Sequence, residues 1–211
     1  MIINEIFKSI QGESTHAGRP CVFVRTTACN LRCSWCDTEY AFHEGAQMSV
    51  EEIRRKVGEY DCSLVEITGG EPLLQPEVNS LIGSLLDEGR EVLVETSGSL
   101  PIEQLDPRAA VIMDVKCPGS GMTQSMRWEN LDRLRPKDEV KFVIADQADY
   151  LFAKETCRAH HLFERCPVLF APAFGTLPPR SLAEWILQDS LPARLQIQIH
   201  KYIWDPSMRG V

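Results

Sequence analysis

Three cysteines, Cys29, Cys33 and Cys36, fall within eight residues in the spacing Cys-x3-Cys-x2-Cys. Thiolates this close together can all bind one small inorganic group, because a short loop can curl around it, and iron–sulfur clusters are held at spacings of this kind. A cubane cluster has four irons, whereas this loop supplies three ligands. Without a fourth protein ligand one iron stays open, and an open position marks a catalytic rather than a structural metal site.

Two other interpretations of the three cysteines remain open at this point. One is a zinc knuckle with His43 as the fourth ligand, and the other is a set of reduced core cysteines that bind no metal. Zinc sites more often pair their cysteines in two Cys-x2-4-Cys units, so the spacing favours the cluster.

The composition is that of an ordinary globular protein. The 211 residues are 44% hydrophobic and 25% charged, which is enough for a single domain over 1–211 with a sizeable core. A net charge of −8 argues against nucleic acid or an anionic membrane as the main partner. The first residues show no secretory signal, and no apolar run is long enough to span a bilayer. We therefore expect a cytoplasmic protein whose eight cysteines are reduced.

Strand and helix signals alternate along the chain. Alternating or β-branched runs predict strands over residues 2–10, 21–25, 64–68, 91–95, 110–115, 139–144, 168–171 and 195–199. Helical periodicity and capping signals, including a capping box at Ser49 and Glu52, predict helices over residues 49–60, 76–88, 126–134, 150–160 and 181–188.

This order predicts the α/β class, with parallel strands and helices outside the sheet. A complete (β/α)8 barrel usually needs ~250 residues, so the shorter chain favours an incomplete, pared-down barrel. Polar and glycine residues occur where the predicted strands end, and in such folds that edge carries the active site. The residues expected at this one edge are Arg25, Thr68, Gly69, Gly70, Glu95, Ser97, Lys116, Ala171 and His200.

A Gly-Gly-Glu-Pro sequence follows one predicted strand, at Gly69 to Pro72. Two glycines let a ligand approach the backbone closely, although a lone pair of glycines is most often a tight turn. Here the sequence matches the motif that lies against the methionine moiety of S-adenosylmethionine (SAM) in radical SAM enzymes. Together with the upstream cysteine spacing, the chain is identified as a member of the radical SAM superfamily, with its cluster loop at about 28–45.

A finer resemblance extends from Glu5 to Pro206. Five short motifs occur in order: Ile10-Gln11-Gly12-Glu13, Arg25, Cys36-Asp37-Thr38, Glu95-Thr96-Ser97-Gly98 and His200-Lys201-Tyr202. This set resembles the 7-carboxy-7-deazaguanine synthase family of queuosine and deazapurine biosynthesis. The resemblance implies an incomplete radical SAM barrel, a homodimer, a flavodoxin-type one-electron donor, a [4Fe–4S] cluster, SAM and Mg²⁺. It also implies a carbon–nitrogen lyase reaction on 6-carboxy-5,6,7,8-tetrahydropterin, with loss of ammonia and no catalytic residue beyond the cofactor-derived radical.

The resemblance also implies roles for individual residues. The cluster ligands would be Cys29, Cys33 and Cys36, and Thr38 would ligate Mg²⁺. The SAM site would be lined by Trp35, Asp37, Gly70, Ser97, Asp114, Val115 and Lys116. The pterin would be contacted by Ile10, Gln11, Gly12, Glu13, Arg25, Thr68, Glu95, His200 and Pro206.

Several of these residues have ordinary structural alternatives. Arg25 could form a surface ion pair, Thr38 could be a turn or cap residue, and His200 could be a structural histidine on an alternating strand. Cys21, Cys62, Cys117, Cys157 and Cys166 lack cluster spacing and are interpreted as small core or surface residues.

The sequence departs from the family pattern at two places. The segment Ala171, Pro172, Ala173 and Phe174 is apolar where relatives can carry a polar stretch that touches SAM. Five residues follow Pro206, so a terminal carboxylate at that proline, which some relatives direct toward the substrate, is absent, and Asp205 is a candidate replacement.

Two competing functions remain. Another small radical SAM enzyme, such as a glycyl-radical activase, would need an open groove for a peptide rather than a small closed pocket. A zinc-binding module would need neither SAM nor a pterin pocket.

Overall fold

One nine-stranded sheet runs through the computed structural model, which describes residues 1–211. The strands are β1 (Ile2–Ile10), β2 (Pro20–Thr26), β3 (Ala46–Gln47), β4 (Leu64–Gly69), β5 (Glu91–Thr96), β6 (Ala110–Val115), β7 (Glu139–Ile144), β8 (Val168–Pro172) and β9 (Arg194–Leu195). Their order in the sheet is β3-β1-β2-β4-β5-β6-β7-β8-β9, and the two edge strands do not pair. The sheet is therefore an open, incomplete barrel, as the sequence predicts.

The sheet is mostly parallel, as predicted, and the first strand is the exception. All neighbours from β2 to β9 are parallel, but β1 is antiparallel to both β2 and β3. Only residues 11–19 connect β1 to β2. A parallel connection needs a dozen or more residues, so this short loop forces an antiparallel pair.

Six helices accompany the sheet. They are α1 (Val50–Gly58), α2 (Val78–Asp87), α3 (Gln147–Ala159), α4 (Leu162–Arg165), α5 (Pro179–Gln188) and α6 (His200–Ile203). The predicted capping box is confirmed, because Glu52 N donates to Ser49 Oγ (3.2 Å) and Ser49 N donates to Glu52 Oε2 (2.8 Å). No helix combines the length and the apolar character that crossing a bilayer requires.

Two predicted elements differ in detail from those of the structure. Residues 126–134 form a 3-10 helix, Trp128–Arg133, instead of an α-helix, because Asn130 Nδ2 is tied to the carbonyls of Gly98 (3.0 Å) and Leu100 (2.8 Å). The last strand ends at Leu195 and not at 199. The chain turns away there, since Ile199 N donates to Gly12 O (3.1 Å), and His200 begins α6.

The two faces of the sheet have different chemistry. A large apolar core of 38 buried residues lies between the sheet and the helices. On the inner face only five buried residues form an apolar cluster: Cys21, Phe23, Leu64, Leu93 and Ile112. Further along the same strands, toward their carboxyl ends, the inner face becomes polar and charged. Of the five cysteines outside the cluster spacing, four are buried and Cys62 is half-buried, which confirms them as small core residues.

Candidate active site

A cavity of about 520 Å³ opens at the edge where the parallel strands end. It is lined by most of the residues that the sequence assigned to a site: Glu13, Arg25, Cys29, Cys33, Trp35, Cys36, Asp37, Thr38, Thr68, Gly70, Glu95, Ser97, Asp114, Lys116 and His200. The carboxyl ends of parallel strands meet at one edge, so side chains distant in sequence converge there.

Five of the named residues do not line the cavity: Ile10, Gln11, Gly12, Val115 and Pro206. Gln11 is buried behind the cavity wall, and Val115 belongs to the apolar core on the helix side. Gly12 packs against His200, since a Cβ at this position would lie 1.9 Å from His200 Nδ1. Pro206 is exposed in the C-terminal segment.

The cysteine loop is fixed to its surroundings by backbone hydrogen bonds. Ala28 N donates to Ala41 O (2.9 Å), Glu71 N donates to Ala28 O (2.8 Å), and Ser34 N donates to Ser120 O (3.1 Å). Within this frame all three thiols are free of disulfides and line the same cavity. Burial raises the pKa of each thiol, so a metal group would be needed to hold them as thiolates.

The three thiols suit a cluster better than a single ion. A cubane cluster takes one thiolate on each of three irons, so its ligands need not converge on one point. No three His, Cys, Asp or Glu side chains are gathered closely enough to hold one metal ion. His43, the fourth ligand of the zinc alternative, is exposed and does not line the cavity.

The Gly-Gly-Glu-Pro motif joins the end of β4 to the cysteine loop. Gly69 has a φ of 146°, which favours glycine, and a Cβ on Gly70 would lie 2.2 Å from Ala28 O and 2.8 Å from Cys29 Cβ. The fully buried Glu71 accepts hydrogen bonds from Ser97 N (2.8 Å) and Thr96 Oγ1 (2.8 Å) at the end of β5. The motif therefore holds three segments of the cavity edge together as well as lining it.

Lys141 is a central site residue that the sequence reasoning missed. Its buried ammonium contacts Glu13 Oε2 (2.9 Å), Glu95 Oε1 and Asp114 Oδ2 (3.7 Å). Burial acts to lower its pKa, but Glu13, Glu95 and Asp114 outweigh burial and hold the pKa of Lys141 well above its ordinary value. The available signal was a lone lysine between apolar residues in the strand Glu139–Ile144.

Glu13 is bound on three sides. Lys141 Nζ and Gln196 Nε2 donate to Glu13 Oε2 (both 2.9 Å), and Gln198 Nε2 donates to Glu13 Oε1 (2.8 Å). Burial acts to raise the pKa of Glu13, yet the charge and hydrogen bond of Lys141 lower it overall. Glu13 is therefore ionised and fixed in the cavity wall.

Glu66 is a second missed residue, and it differs from Glu13. It is 4% exposed on the inner face of β4, lines the cavity, and forms no salt bridge. Burial, together with the charges of Glu95 and Glu13, raises the pKa of Glu66 well above its ordinary value. Glu66 belongs to no recognisable motif, because it lies inside the strand before the glycines.

Arg25 lines the cavity while forming the ion pair of its ordinary alternative. Arg25 Nε donates to Glu5 Oε1 (2.8 Å), which also accepts from Tyr40 Oη (3.0 Å). The terminal guanidinium nitrogens have no hydrogen-bond partner in the protein. They are the donors that would suit a carboxylate.

Asp37 and Thr38 follow the last cysteine and interact with each other. Lys201 Nζ (2.5 Å) and Thr38 Oγ1 (2.9 Å) both donate to Asp37. Burial acts to raise the pKa of Asp37, but Lys201 outweighs it and lowers the pKa below its ordinary range. The predicted Mg²⁺ ligand Thr38 thus presents one hydroxyl to the cavity, with no free carboxylate beside it.

Three further residues complete the cavity wall. Lys116 Nζ pairs with Asp114 Oδ2 (2.9 Å), whereas Asp114 Oδ1 is buried with no protein partner. An unpaired buried carboxylate oxygen is costly and fits a ligand that donates to it. Burial lowers the pKa of His200, so its imidazole is neutral at pH 7.

The apolar segment after β8 also borders the cavity. Ala171, Pro172 and Ala173 are buried in its wall, while Phe174 is 47% exposed and lies under the ammonium of Lys201 (4.8 Å). This segment offers the cavity backbone groups and an aromatic face, but no polar side chain.

Comparisons with known proteins agree with this geometry. The model of the radical SAM superfamily matches residues 23–113, which include the three cysteines and the two glycines. The chain is 50% identical over 226 residues to 7-carboxy-7-deazaguanine synthase of Koribacter versatilis (strain Ellin345), with 100% of both chains covered. It is 47% identical to 7-carboxy-7-deazaguanine synthase of Chlorobaculum tepidum, covering 99% of this chain and 96% of that one.

A solved structure shares the fold. The crystal structure of QueE from Escherichia coli superposes with a TM-score of 0.77 over 93% of each chain, at 24% identity. This match confirms the open, mostly parallel barrel.

Proposed function

The chain belongs to the 7-carboxy-7-deazaguanine synthase family of the radical SAM superfamily, and on that premise we propose that it converts 6-carboxy-5,6,7,8-tetrahydropterin into 7-carboxy-7-deazaguanine with loss of ammonia. One observation carries the proposal. A single cavity of about 520 Å³ has three thiols at its edge and a wall of paired charges deeper along the strands. One end suits a cluster with SAM, and the other suits a small polar heterocycle.

The cofactor end is built from the cysteine loop and the glycines. Cys29, Cys33 and Cys36 would hold the [4Fe–4S] cluster, and the backbone at Gly70 and the buried Asp114 Oδ1 would bind SAM. When bound and reduced, this pair of cofactors supplies the 5′-deoxyadenosyl radical that the family uses to remove hydrogen from C6 of the pterin. The protein would hold the two molecules next to each other in one cavity.

The substrate end is built from charges that already have partners. Arg25 keeps its terminal nitrogens free for the pterin carboxylate, which suits a planar fork of donors. Glu95, which contacts the ammonium of Lys141, accepts from the amino and ring N–H groups of the pyrimidinone edge. His200, packed on Gly12 and neutral, closes the side of the cavity.

Mg²⁺ and the partners are part of the same proposal. Thr38 offers Mg²⁺ one oxygen, so the remaining ligands would come from substrate and water, an arrangement that Mg²⁺ commonly adopts. A homodimer and a flavodoxin-type electron donor follow from the family resemblance. Eight free cysteines favour a reducing compartment such as the cytoplasm.

The geometry disfavours the alternative of a glycyl-radical activase. Arg25 and Glu95 both line one cavity of about 520 Å³, a size that suits a small ligand, and their charges are paired inside it. Gln11 lies behind the wall, so it contributes to this small site only through its neighbours.

An anaerobic assay tests the proposal. The purified protein is reconstituted to about four irons per chain, reduced, and mixed with SAM, Mg²⁺ and the carboxypterin. We expect 7-carboxy-7-deazaguanine, ammonia and 5′-deoxyadenosine. Formation of 5′-deoxyadenosine with the pterin recovered unchanged would reject this substrate and retain only the superfamily chemistry.

A further inference from the structure

Acidic side chains outnumber cations in the deep wall of the cavity. Glu13, Glu66, Glu95 and Asp114 all line it, and the lysines beside them are Lys141 and Lys116. Lys116 pairs with Asp114, whereas Lys141 contacts Glu13, Glu95 and, more distantly, Asp114. Glu66 is the one carboxyl group of the four without an ion pair.

This imbalance decides which group carries a proton. A buried carboxylate without a cation is strongly disfavoured, and a carboxylate near others of its kind takes up a proton. Burial, Glu95 and Glu13 together raise the pKa of Glu66, while Glu13 stays ionised against Lys141. Glu66, buried and without an ion pair, is therefore the member of the group that holds a proton most readily.

The position of that proton follows from the orientation of Gln11. Glu13 N donates to Gln11 Oε1 (3.0 Å), so the amide nitrogen of Gln11 must face the other way. Gln11 Nε2 accordingly donates to Glu66 Oε2, which makes Oε2 an acceptor. The proton of Glu66 is thus on Oε1, because Oε2 is the oxygen bound by Gln11 and Oε1 forms no hydrogen bond within the protein, while Glu66 lines the cavity.

Other donors in this part of the wall are engaged. Lys141 donates to Glu13 and Glu95, and its ammonium lies 3.7 Å from Asp114 Oδ2, beyond hydrogen-bond distance. Thr68 Oγ1 donates to Glu95 Oε2 (3.2 Å). The hydroxyl of a neutral Glu66 is therefore a free donor beside the acceptor Glu95.

We infer that Glu66 is a substrate-binding residue, whose protonated carboxyl group donates a hydrogen bond from Oε1 to an acceptor atom of the pyrimidinone edge, while Glu95, paired with Lys141, accepts from the donors of that edge. The inference rests on the proposed function, because a pterin carries carbonyl and ring-nitrogen acceptors next to its amino and N–H donors. A wall of ionised carboxylates would match only the donors. Gln11 acts through Glu66 as a positioning residue.

The charged and titratable groups that face Glu66 come from several elements. Glu13 lies in the loop after β1, Glu95 on β5 and Lys141 on β7. On the neighbouring strand β2, burial raises the pKa of the Cys21 thiol, which is neutral at pH 7. Among these groups, Glu66 is the carboxyl group whose loss of a proton, as the pH rises, would remove a hydrogen-bond donor from the cavity wall.

The test compares two substitutions in the cluster-loaded enzyme. Glu66→Gln keeps a donor of similar shape, and Glu66→Leu removes it. Glu184→Gln, the same change at an exposed carboxyl group outside the cavity, is the control. KM for the carboxypterin is measured anaerobically from pH 6 to pH 9, alongside SAM affinity. One hydrogen bond is worth roughly a tenfold change in affinity, so we expect Glu66→Leu to raise KM about tenfold. Glu66→Gln and the control should keep KM within about threefold of the wild-type value. SAM affinity stays unchanged in all three.

The pH profile provides a readout that a merely structural role would not move. In the wild type KM rises at alkaline pH as Glu66 loses its proton, and in Glu66→Gln this rise is absent. A KM for Glu66→Leu equal to that of wild type, or the same alkaline rise in Glu66→Gln, would overturn the inference. If the leucine variant does not fold, the pH comparison of wild type with Glu66→Gln decides alone. Absence of product from the wild type would instead reject the proposed function.

Discussion

Adjacent side chains of β4 face opposite sides of the sheet. Val65 and Ile67 are fully buried and face the helices, whereas Glu66 and Thr68, 4% and 5% exposed, face the cavity. The four side chains are almost equally inaccessible, so burial alone does not separate core from site. The two sides differ in chemistry. The helix side buries apolar groups that pack against each other, whereas the cavity side buries polar groups whose unused hydrogen-bonding atoms are available to a ligand.

This comparison predicts that substitutions on the cavity side lower activity and that substitutions on the helix side lower stability. The largest expected effect is that of a cluster cysteine. Cys33→Ala removes one of three ligands to the proposed cluster, so we expect product formation to fall by roughly the whole catalytic enhancement, ~10⁶-fold or more. Iron content falls with it, but the free energy of unfolding of the metal-free protein stays within about 0.5 kcal/mol. The measurements are iron analysis, anaerobic turnover and urea unfolding.

Cys157→Ala is the matched control on the other face. Cys157 is fully buried in the helix-side core, so the same substitution costs about 1 kcal/mol of stability and leaves iron content and turnover unchanged. Retained turnover in Cys33→Ala, or lost iron in Cys157→Ala, would contradict the predicted division of activity and stability between the two sides of the sheet.

Lys141→Met probes the one place where the cavity wall itself needs its charges for stability. Removing Lys141 leaves Glu13 and Glu95 buried without their shared cation, and breaking a buried pair typically costs about 3–5 kcal/mol. Arg180→Met, which breaks the exposed pair with Glu184, should cost less than about 1 kcal/mol. Urea unfolding of both variants and of Lys141→Arg measures the difference.

The pH dependence of the Lys141→Met effect has a definite sign. In wild type the pKa of Glu13 is lowered, so its pairing adds stability at neutral pH that is lost as the pH falls through that pKa. In Lys141→Met the two carboxyl groups take up protons readily, so acid relieves the cost. We expect the gap in unfolding free energy to be largest near pH 7 and to shrink toward pH 4; a gap that widens in acid would contradict the ion-pair assignment.

The sequence predicted the frame of this site better than its interior. The bounds of β6 and β7 were predicted correctly, because β-branched runs carry a local signal, and the three cysteines and two glycines are recognisable from spacing alone. Lys141 and Glu66 were missed because a charged residue at an alternating position normally indicates a solvent-facing side chain. Their meaning depends on contacts distant in sequence, as between Lys141 and Glu13, 128 positions apart. His200 was placed on a strand for the same reason, since its contact with Gly12 redirects the chain.

On the helix side a truncation should affect only stability. Ile67→Ala leaves a cavity in the apolar core, at a cost of about 2–5 kcal/mol. Turnover per folded, iron-loaded molecule should match that of wild type at a temperature where both are folded. Urea unfolding and anaerobic turnover are the two measurements, and a loss of turnover without a loss of stability would show that the helix side also shapes the site.

One substitution on the cavity side is expected to raise stability. The pKa of Glu66 is raised in the folded protein, so folding retains a proton that the unfolded chain releases, and stability from this group is lost as the pH rises through the folded pKa. Glu66→Gln removes this dependence, so we expect its free energy of unfolding to exceed that of wild type at pH 7 and to show no advantage near pH 4. Glu71→Gln tests the opposite case, since Glu71 is also buried but accepts only from donors on Leu73, Thr96 and Ser97. An amide there meets those donors with an N–H group, so we expect a loss of about 1–3 kcal/mol. Urea unfolding at the two pH values measures both variants. If both substitutions raise the free energy of unfolding, or both lower it, the two buried glutamates do not differ in the way that their hydrogen bonds predict.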